Sequence, residues 1–328
     1  MKPNADNFFA YMVQGVGAEK MEESILKLIN VSKKFGTKTV VDGLTFNIKK
    51  GEVFGLLGPN GAGKTTTIRM IVGLISLSGG EIYINGLNIK GNFKEAISHV
   101  GAIVENPEFY KFLTGYENLI HFANLSLGVT EERIDETVAL VGLEKRIHDK
   151  VKTYSLGMRQ RLGVAQALLH RPSVLILDEP VNGLDPAGIK ELREYLRSLA
   201  QNEGVSVIIS SHLLSEMEML CDRVAIIQKG RLLDVRSVGS LMRDIKGVFN
   251  VRFEVDHPVE AQGVINKRFS VEAALCGDIT LEMKINREMI AEINASLVQA
   301  GIKVYGIVPK AQSLEEVFME VTVNGPVD

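Results

Sequence analysis

The stretch "GLLGPNGAGKTTTIRM", Gly55 to Met70, decides how the rest of the chain is read. A short apolar run ends in glycine, and Gly58 to Thr65 fit G-x-x-x-x-G-K-[ST] just before a helical pattern opens. Each part has a physical task. Gly58, Gly61 and Gly63 let backbone N–H groups turn inward around phosphate oxygens, and the helix start adds about half a positive charge there. Lys64 is long enough to reach the β- and γ-phosphates, and the Thr65 hydroxyl suits Mg²⁺. Gly58, Pro59, Asn60, Gly61, Ala62, Gly63, Lys64, Thr65 and Thr66 are therefore read as a nucleotide cradle. A ligand-free glycine turn would need strand, loop, lysine, threonine and helix to coincide by chance.

Downstream, "VLILDEPVNGLDP" (Val174 to Pro186) ends a buried-strand pattern in Asp178 and Glu179. Open α/β sheets hold ligands at that end of their strands. Alone, two acids there are an ordinary solvated strand end. Beside a phosphate cradle, Asp178 is expected to hold Mg²⁺ through a water and Glu179 to act as general base. Asp185 followed by Pro186 is explained as helix initiation, and Asp185 is kept beside that as a candidate nucleotide contact. "VSVIISSHLLSEMEML" (Val205 to Leu220) places His212 past another apolar run, where it is expected to donate to the γ-phosphate. "KTYSLGMRQRLGVAQALLH" (Lys152 to His170) begins a helix that Ser155 can cap, with Leu162, Ala165, Leu168 and Leu169 as its buried face. Gly157 lets a backbone approach closely, so the free N–H groups form a second anion site whose ligand the residues do not specify.

Bulk properties set the frame. The 328 residues suffice for two domains, and 45% hydrophobic with 23% charged residues is a globular composition. A formal charge of -3 and the lack of a long Lys/Arg run give no footprint for nucleic acid. The two cysteines, Cys221 and Cys276, are read as reduced thiols. No apolar run reaches the roughly 18 residues that span a bilayer, so a membrane role requires a partner. The start of the chain lacks the layout of a secretory signal. Residues 1–23 are expected to be a flexible extension, with residues 24–239 as a nucleotide-binding α/β domain and residues 240–328 as a small α+β domain. In the middle segment, "VFGLLG", "VLILD" and "VSVIISS" read as parallel strands buried on both faces. "EIYING" and "RVAIIQKGRLLD" read as antiparallel strands turning at Asn85-Gly86 and Lys229-Gly230. Beyond Gly239 the order β-α-β-β-α-β suggests a ferredoxin-like domain, closed by a helix near Ser313–Val321.

Taken together, the motifs resemble those of the ATP-binding cassette family, the ATPase subunits of ABC transporters, over about Ile25 to Val238. The resemblance implies a P-loop NTPase fold of ABC type, α/β with a helical subdomain and an antiparallel β subdomain. "SLGM" at Ser155 to Met158 resembles the family's signature, departing from the usual Ser-Gly-Gly-Gln. It implies that the second anion site meets the γ-phosphate of an ATP held by another cassette, so that two cassettes sandwich two ATP molecules. With one motif set in this chain, the partner is expected to be a second copy. Phe35 matches the family's adenine-stacking aromatic. Glu105 stands where the family usually has a glutamine that senses Mg²⁺ and the transmembrane subunit.

Glu105 and "YSLGMRQR" resemble the bacterial exporters of bacitracin, lantibiotics and similar antimicrobial peptides. "SLEEVFMEVT" resembles drug-exporting relatives with a C-terminal extension, for which a regulatory or dimer-stabilising role is expected. The implied function is ATP-driven export of a peptide or drug through separate polytopic membrane subunits, from the cytoplasmic face of the membrane. The alternative is a soluble cassette ATPase acting on ribosomes or DNA. Such proteins tend to join two cassettes or to carry insertions and basic arms, which this slightly acidic chain does not show.

Overall fold

The computed structural model describes residues 24–126, 128–246 and 249–310. The extension expected over residues 1–23 and the closing helix expected near Ser313–Val321 lie outside the described residues. The described chain divides into two compact units, one with residues up to 212 and 220–235, the other with 213–219 and residues from 236 onward. The boundary expected at 239–240 falls inside the helix Val238–Lys246.

The first unit opens with β1 (Ser24–Phe35), β2 (Lys38–Lys49), β3 (Val53–Leu57), α1 (Lys64–Ile71), β4 (Gly79–Ile84) and β5 (Leu87–Asn88). It continues through α2 (Phe93–Ile97), β6 (Val100–Ile103), α3 (Gly115–Ala123), α4 (Glu131–Leu140), α5 (Leu156–Leu168), β7 (Val174–Asp178), α6 (Pro186–Asn202) and β8 (Ser206–Ser211). Helix α7 (Leu214–Leu220), whose residues up to 219 belong to the second unit, precedes β9 (Arg223–Gln228) and β10 (Arg231–Ser237).

Two sheets result. The central one has the strand order β10-β9-β3-β8-β7-β6, with β9, β3, β8, β7 and β6 mutually parallel. Every residue of β3, β7 and β8 is buried, as a parallel sheet covered on both faces requires. The other sheet, β2-β1-β4-β5, is antiparallel. Leu26, Leu28, Phe46, Ile48, Ile82 and Ile84 of that sheet share one core with Ile68 and Met70 of α1 and with Ile176 and Ile208 of the central sheet. This packing holds α1, and the loop before it, against two sheets at once.

One strand departs from expectation. The Asn85-Gly86 turn joins β4 to β5 in an antiparallel hairpin, but β9 lies parallel to β3 in the central sheet. Only after the turn at Lys229 and Gly230, both with positive φ, does the chain reverse into β10. Val224, Ala225, Ile226 and Ile227 are all buried, an unbroken apolar run that belongs to the interior of a parallel sheet.

Between β6 and β7 lie three helices with side-chain N-caps. Thr114 and Glu117 form a reciprocal capping box on α3, Thr130 caps α4 and Ser155 caps α5. Leu119, Ile134, Val138, Leu162 and Leu168 are among their buried positions.

At the lower edge of β3, Glu52 is only 8% exposed and receives Arg223 Nη1 at 3.2 Å. Burial pushes the Glu52 carboxyl up, and the Lys49 amide and Arg223 pull it part of the way back. Arg223→Met strands this carboxylate and is expected to cost about 3 kcal/mol. The thermal midpoint then falls by roughly 6–12 °C. Removing the guanidinium raises the Glu52 carboxyl further, and a carboxyl raised on folding favours the folded state most when protonated. The deficit is therefore largest at neutral pH and shrinks as pH falls and Glu52 takes up its proton. Melting curves of both proteins across that range check the sign.

The second unit, taken by itself, contains α8 (Val238–Lys246), β11 (Phe249–Val255), α9 (Pro258–Phe269), β12 (Ala274–Leu275), β13 (Thr280–Ile285), α10 (Arg287–Gln299) and β14 (Val304–Lys310). Its sheet is antiparallel with the order β12-β13-β11-β14. Val251, Phe253, Leu281 and Met283 alternate inward and pack on Ala261 and Ile265 of α9 and Ile293 and Leu297 of α10. Of the segment "FSVEAAL" (Phe269–Leu275), which supplies the second strand of the β-α-β-β-α-β order, only Ala274–Leu275 is strand. Phe269 closes α9, and Ser270 turns left-handed with φ 50°, which uses up the first half of that segment.

Candidate nucleotide site

Helix α1 is preceded at its N-cap by Gly63, which has φ 107° and no side chain with which to cap it. The first N–H groups of the helix are thus left to whatever lies in front of them. The loop leading to it is pressed close to neighbouring backbone. A Cβ on Gly58 would sit 2.2 Å from the Ile227 carbonyl, and one on Gly63 3.1 Å from that of Val40. Lys64 folds back over the loop, its Nζ donating to the Gly58 carbonyl at 2.7 Å and lying 3.3 Å from Glu179 Oε1. Thr67 Oγ1 donates to the Gly63 carbonyl and locks the first turn.

The ends of β7 and β8 face this loop. Asp178 is 5% exposed, and its Oδ1 accepts a short hydrogen bond from the Ser210 hydroxyl. Glu179 has a left-handed backbone, φ 50°, uncommon for a residue with a side chain. Its N–H donates to Ser210 Oγ at 2.9 Å, and its Oε2 pairs with His212 Nδ1 at 2.9 Å. Both carboxylate oxygens of Glu179 are therefore engaged, one by a lysine and one by an imidazole.

Asn60, Gly61, Gly63, Lys64, Thr65, Thr66, Glu179 and His212 line one cavity of about 280 Å³. The tertiary fold brings these sequence-derived candidates together from three separate stretches of chain. Gly58, Pro59 and Ala62 serve the loop's own backbone: Lys64 bonds the first two carbonyls, and Ala62 O accepts from Gly230 N. Val40 and Asn182 also line the cavity, although neither is a candidate in the sequence; Asn182 lies within the Val174–Pro186 stretch, three residues after Glu179. The Asn182-Gly183 dipeptide marks a turn, in which Asn182 N donates to Glu179 O; that turn was the one local signal of its proximity. Phe35 ends β1 with its ring 51% exposed and Lys33 Nζ 4.9 Å from the ring centre.

Ser155, Gly157 and Asp185 line a different cavity, about 590 Å³ in volume, which shares no lining residue with the first. Ser155 accepts from Met158 N and Asp185 from Gly188 N, so each caps its helix as the sequence allows. Glu105, with φ 69° and an exposed side chain, is ion-paired to Arg69 of α1, and neither residue lines the cradle cavity.

A glycine-lysine cradle at the carboxyl edge of a parallel sheet, with an acid paired to its lysine and a histidine paired to that acid, defines a P-loop nucleotide-binding ATPase. A family model for ABC transporters matches residues 41–182. Over 300 residues the chain is 53% identical to the uncharacterized ABC transporter ATP-binding protein YhcH of Bacillus subtilis (strain 168), covering 92% of this chain and 96% of that one. It is 40% identical over 308 residues to the bacitracin transport ATP-binding protein BcrA of Bacillus licheniformis, covering 93% and 99%. Among solved structures, cbiO1 from Clostridium perfringens, part of the ABC transporter complex cbiONQ, matches with TM-score 0.63 and 25% identity over 76% of this chain and 97% of that one. The chain belongs to the ATP-binding proteins of ABC transporters and hydrolyses ATP.

Proposed function

We propose that this chain powers export of an antimicrobial peptide or drug, working as a homodimer beneath separate polytopic permease subunits at the cytoplasmic face of the membrane. One observation carries the dimer: the cradle and the Ser155–Asp185 surface line separate cavities. An ATP held by Lys64 of one copy then needs the Ser155 helix of the other to close over its γ-phosphate. The cargo class rests on the near full-length likeness to BcrA, a bacitracin transport protein. No helix among the described residues is long and apolar enough to cross a membrane, so translocation falls to the permease.

Within the site, backbone N–H groups of residues 60–66 and Lys64 bind the phosphates. Phe35 stacks on the adenine through the face opposite Lys33. Thr65 and Asp178 offer only oxygen donors, the kind Mg²⁺ prefers, and would be the residues to hold it. Mg²⁺ held there would supply charge neutralisation for the phosphates. As Lys64 turns to the phosphates, Glu179 Oε1 is released and takes the proton of the attacking water. His212 steadies the other carboxylate oxygen through Nδ1, leaving Nε2 for the γ-phosphate. Asp185 and Gly157 shape the surface that meets the second copy. Glu105 directly precedes in sequence a groove of about 380 Å³ lined by Asn106, Phe109, Lys111, Lys152 and Arg159, which we read as the permease contact. Residues 24–239 are assigned to the cassette and residues 240–328 to a ferredoxin-like accessory domain. The element order and the strand order β12-β13-β11-β14 support that reading.

Purification of the tagged full chain from mild-detergent membranes tests the assignment. A polytopic membrane protein is expected to co-elute in defined stoichiometry. A strictly ribosome- or DNA-bound pool would replace the exporter reading with its rival.

A further inference from the structure

Ser210 stands one residue short of the end of β8, paired in register with Asp178, and has no exposed surface. The β7–β8 ladder stops at that pair, so the Glu179 N–H lies beyond it and needs another acceptor. Ser210 Oγ supplies one, at 2.9 Å, while its own proton goes to Asp178 Oδ1. One hydroxyl thus accepts from the backbone of the second acid and donates to the side chain of the first. Glu179 meanwhile sits in a left-handed conformation that persists only where surrounding bonds over-determine it. That conformation carries its carboxylate round to Lys64 and His212.

We propose that Ser210 is a positioning residue for ATP hydrolysis, its hydroxyl setting the Asp178 carboxylate toward the metal position and the Glu179 backbone for the base. This rests on the roles given above to Asp178 and Glu179. A donor to Asp178 Oδ1 orients one oxygen and leaves Oδ2 for a cation-bound water, as outer-shell partners of metal-binding carboxylates do. An acceptor for Glu179 N–H holds the turn on which the direction of the base depends. A hydroxyl has the donor and acceptor capacity for both bonds at this short reach.

The test uses the full chain with Ser210→Ala, Ser210→Thr and Ser210→Val. Threonine and valine share a shape, so the hydroxyl is isolated even where the buried strand resists a change of volume. Ser210→Ala and Ser210→Val are expected to lower kcat roughly 10–100-fold with KM for ATP little changed, and Ser210→Thr to recover most of the rate. Mn²⁺ titrated calorimetrically into the complex with a non-hydrolysable ATP analogue should bind roughly 10-fold more weakly to the Ala and Val variants. Without metal or nucleotide, the Glu179 amide should exchange its hydrogen faster in those two and at the native rate in Thr. Equal losses in Thr and Val, or a native kcat and Mn²⁺ affinity in Ala, would overturn the proposal. Glu179→Gln is assayed in parallel. If it loses turnover while the Ser210 variants do not, only the positioning role falls; if it keeps turnover, the role of Glu179 and this proposal fall together.

Discussion

Glu179→Gln is expected to keep ATP bound, lose about 10³-fold in turnover and hold the chain as a dimer. Glutamine matches glutamate in shape and still offers one oxygen to Lys64 or to His212, which pair with Oε1 and Oε2 here. It lacks the negative charge that takes a proton from water. Binding depends on the loop and Lys64 and therefore survives, whereas the chemical step does not. If ATP is gripped by two copies, a nucleotide that is bound but not cleaved keeps them closed, because it favours the closed state by its differential affinity. Single-turnover hydrolysis and light scattering after size exclusion, with and without ATP, read both parts. Unchanged hydrolysis would remove Glu179 from the role of base. ATP-loaded variant that stays monomeric at high concentration, even with the permease supplied, would end the two-chain account.

The second large effect is expected at Lys64. Its ammonium is 5% exposed and already makes a charge-assisted bond to Gly58 O, so its stem is ordered before any phosphate arrives. Lys64→Ala removes a charged donor to two phosphates, and such bonds are worth about 1.5–3 kcal/mol each. Affinity for ATP should fall roughly 100-fold or more, read by titration with a fluorescent nucleotide. Because Lys64 also ties down the loop carbonyls, the melting temperature is measured alongside. A variant that melts normally and binds weakly has lost a ligand contact, and one that binds tightly shows that the loop is not the cradle.

The two substitutions separate what the cavity joins. Lys64 and Glu179 are 3.3 Å apart in this structure, yet one is expected to control binding and the other turnover. A common cause such as misfolding would move both readouts in both variants.

Much of this site is written in short-range patterns. The cradle, the acidic end of β7 and the capped starts of α5 and α6 each occupy a few consecutive residues, and their identities follow from turn chemistry and hydrophobic period. Ser155 and Asp185 cap as their positions imply. Part of the β-α-β-β-α-β order of the second unit is visible in the same way, because β11 and β13 alternate over their own lengths. The segment from Arg223 misled for a related reason. Its hairpin turn is a strong local signal, and it outweighed the apolar run that places β9 inside the parallel sheet.

By itself the sequence determined that a phosphate cradle follows a buried strand, which acids end the next such strand and where helices begin. These depend on neighbours a few bonds away. Only the tertiary structure decided that Ser210 joins Asp178 to Glu179 across 32 and 31 positions, that Arg69 takes Glu105 across 36, and that Val40 reaches the cradle. Those pairings follow from strand order and register, which are set by the burial of whole sheet faces. No local stretch of the chain encodes them.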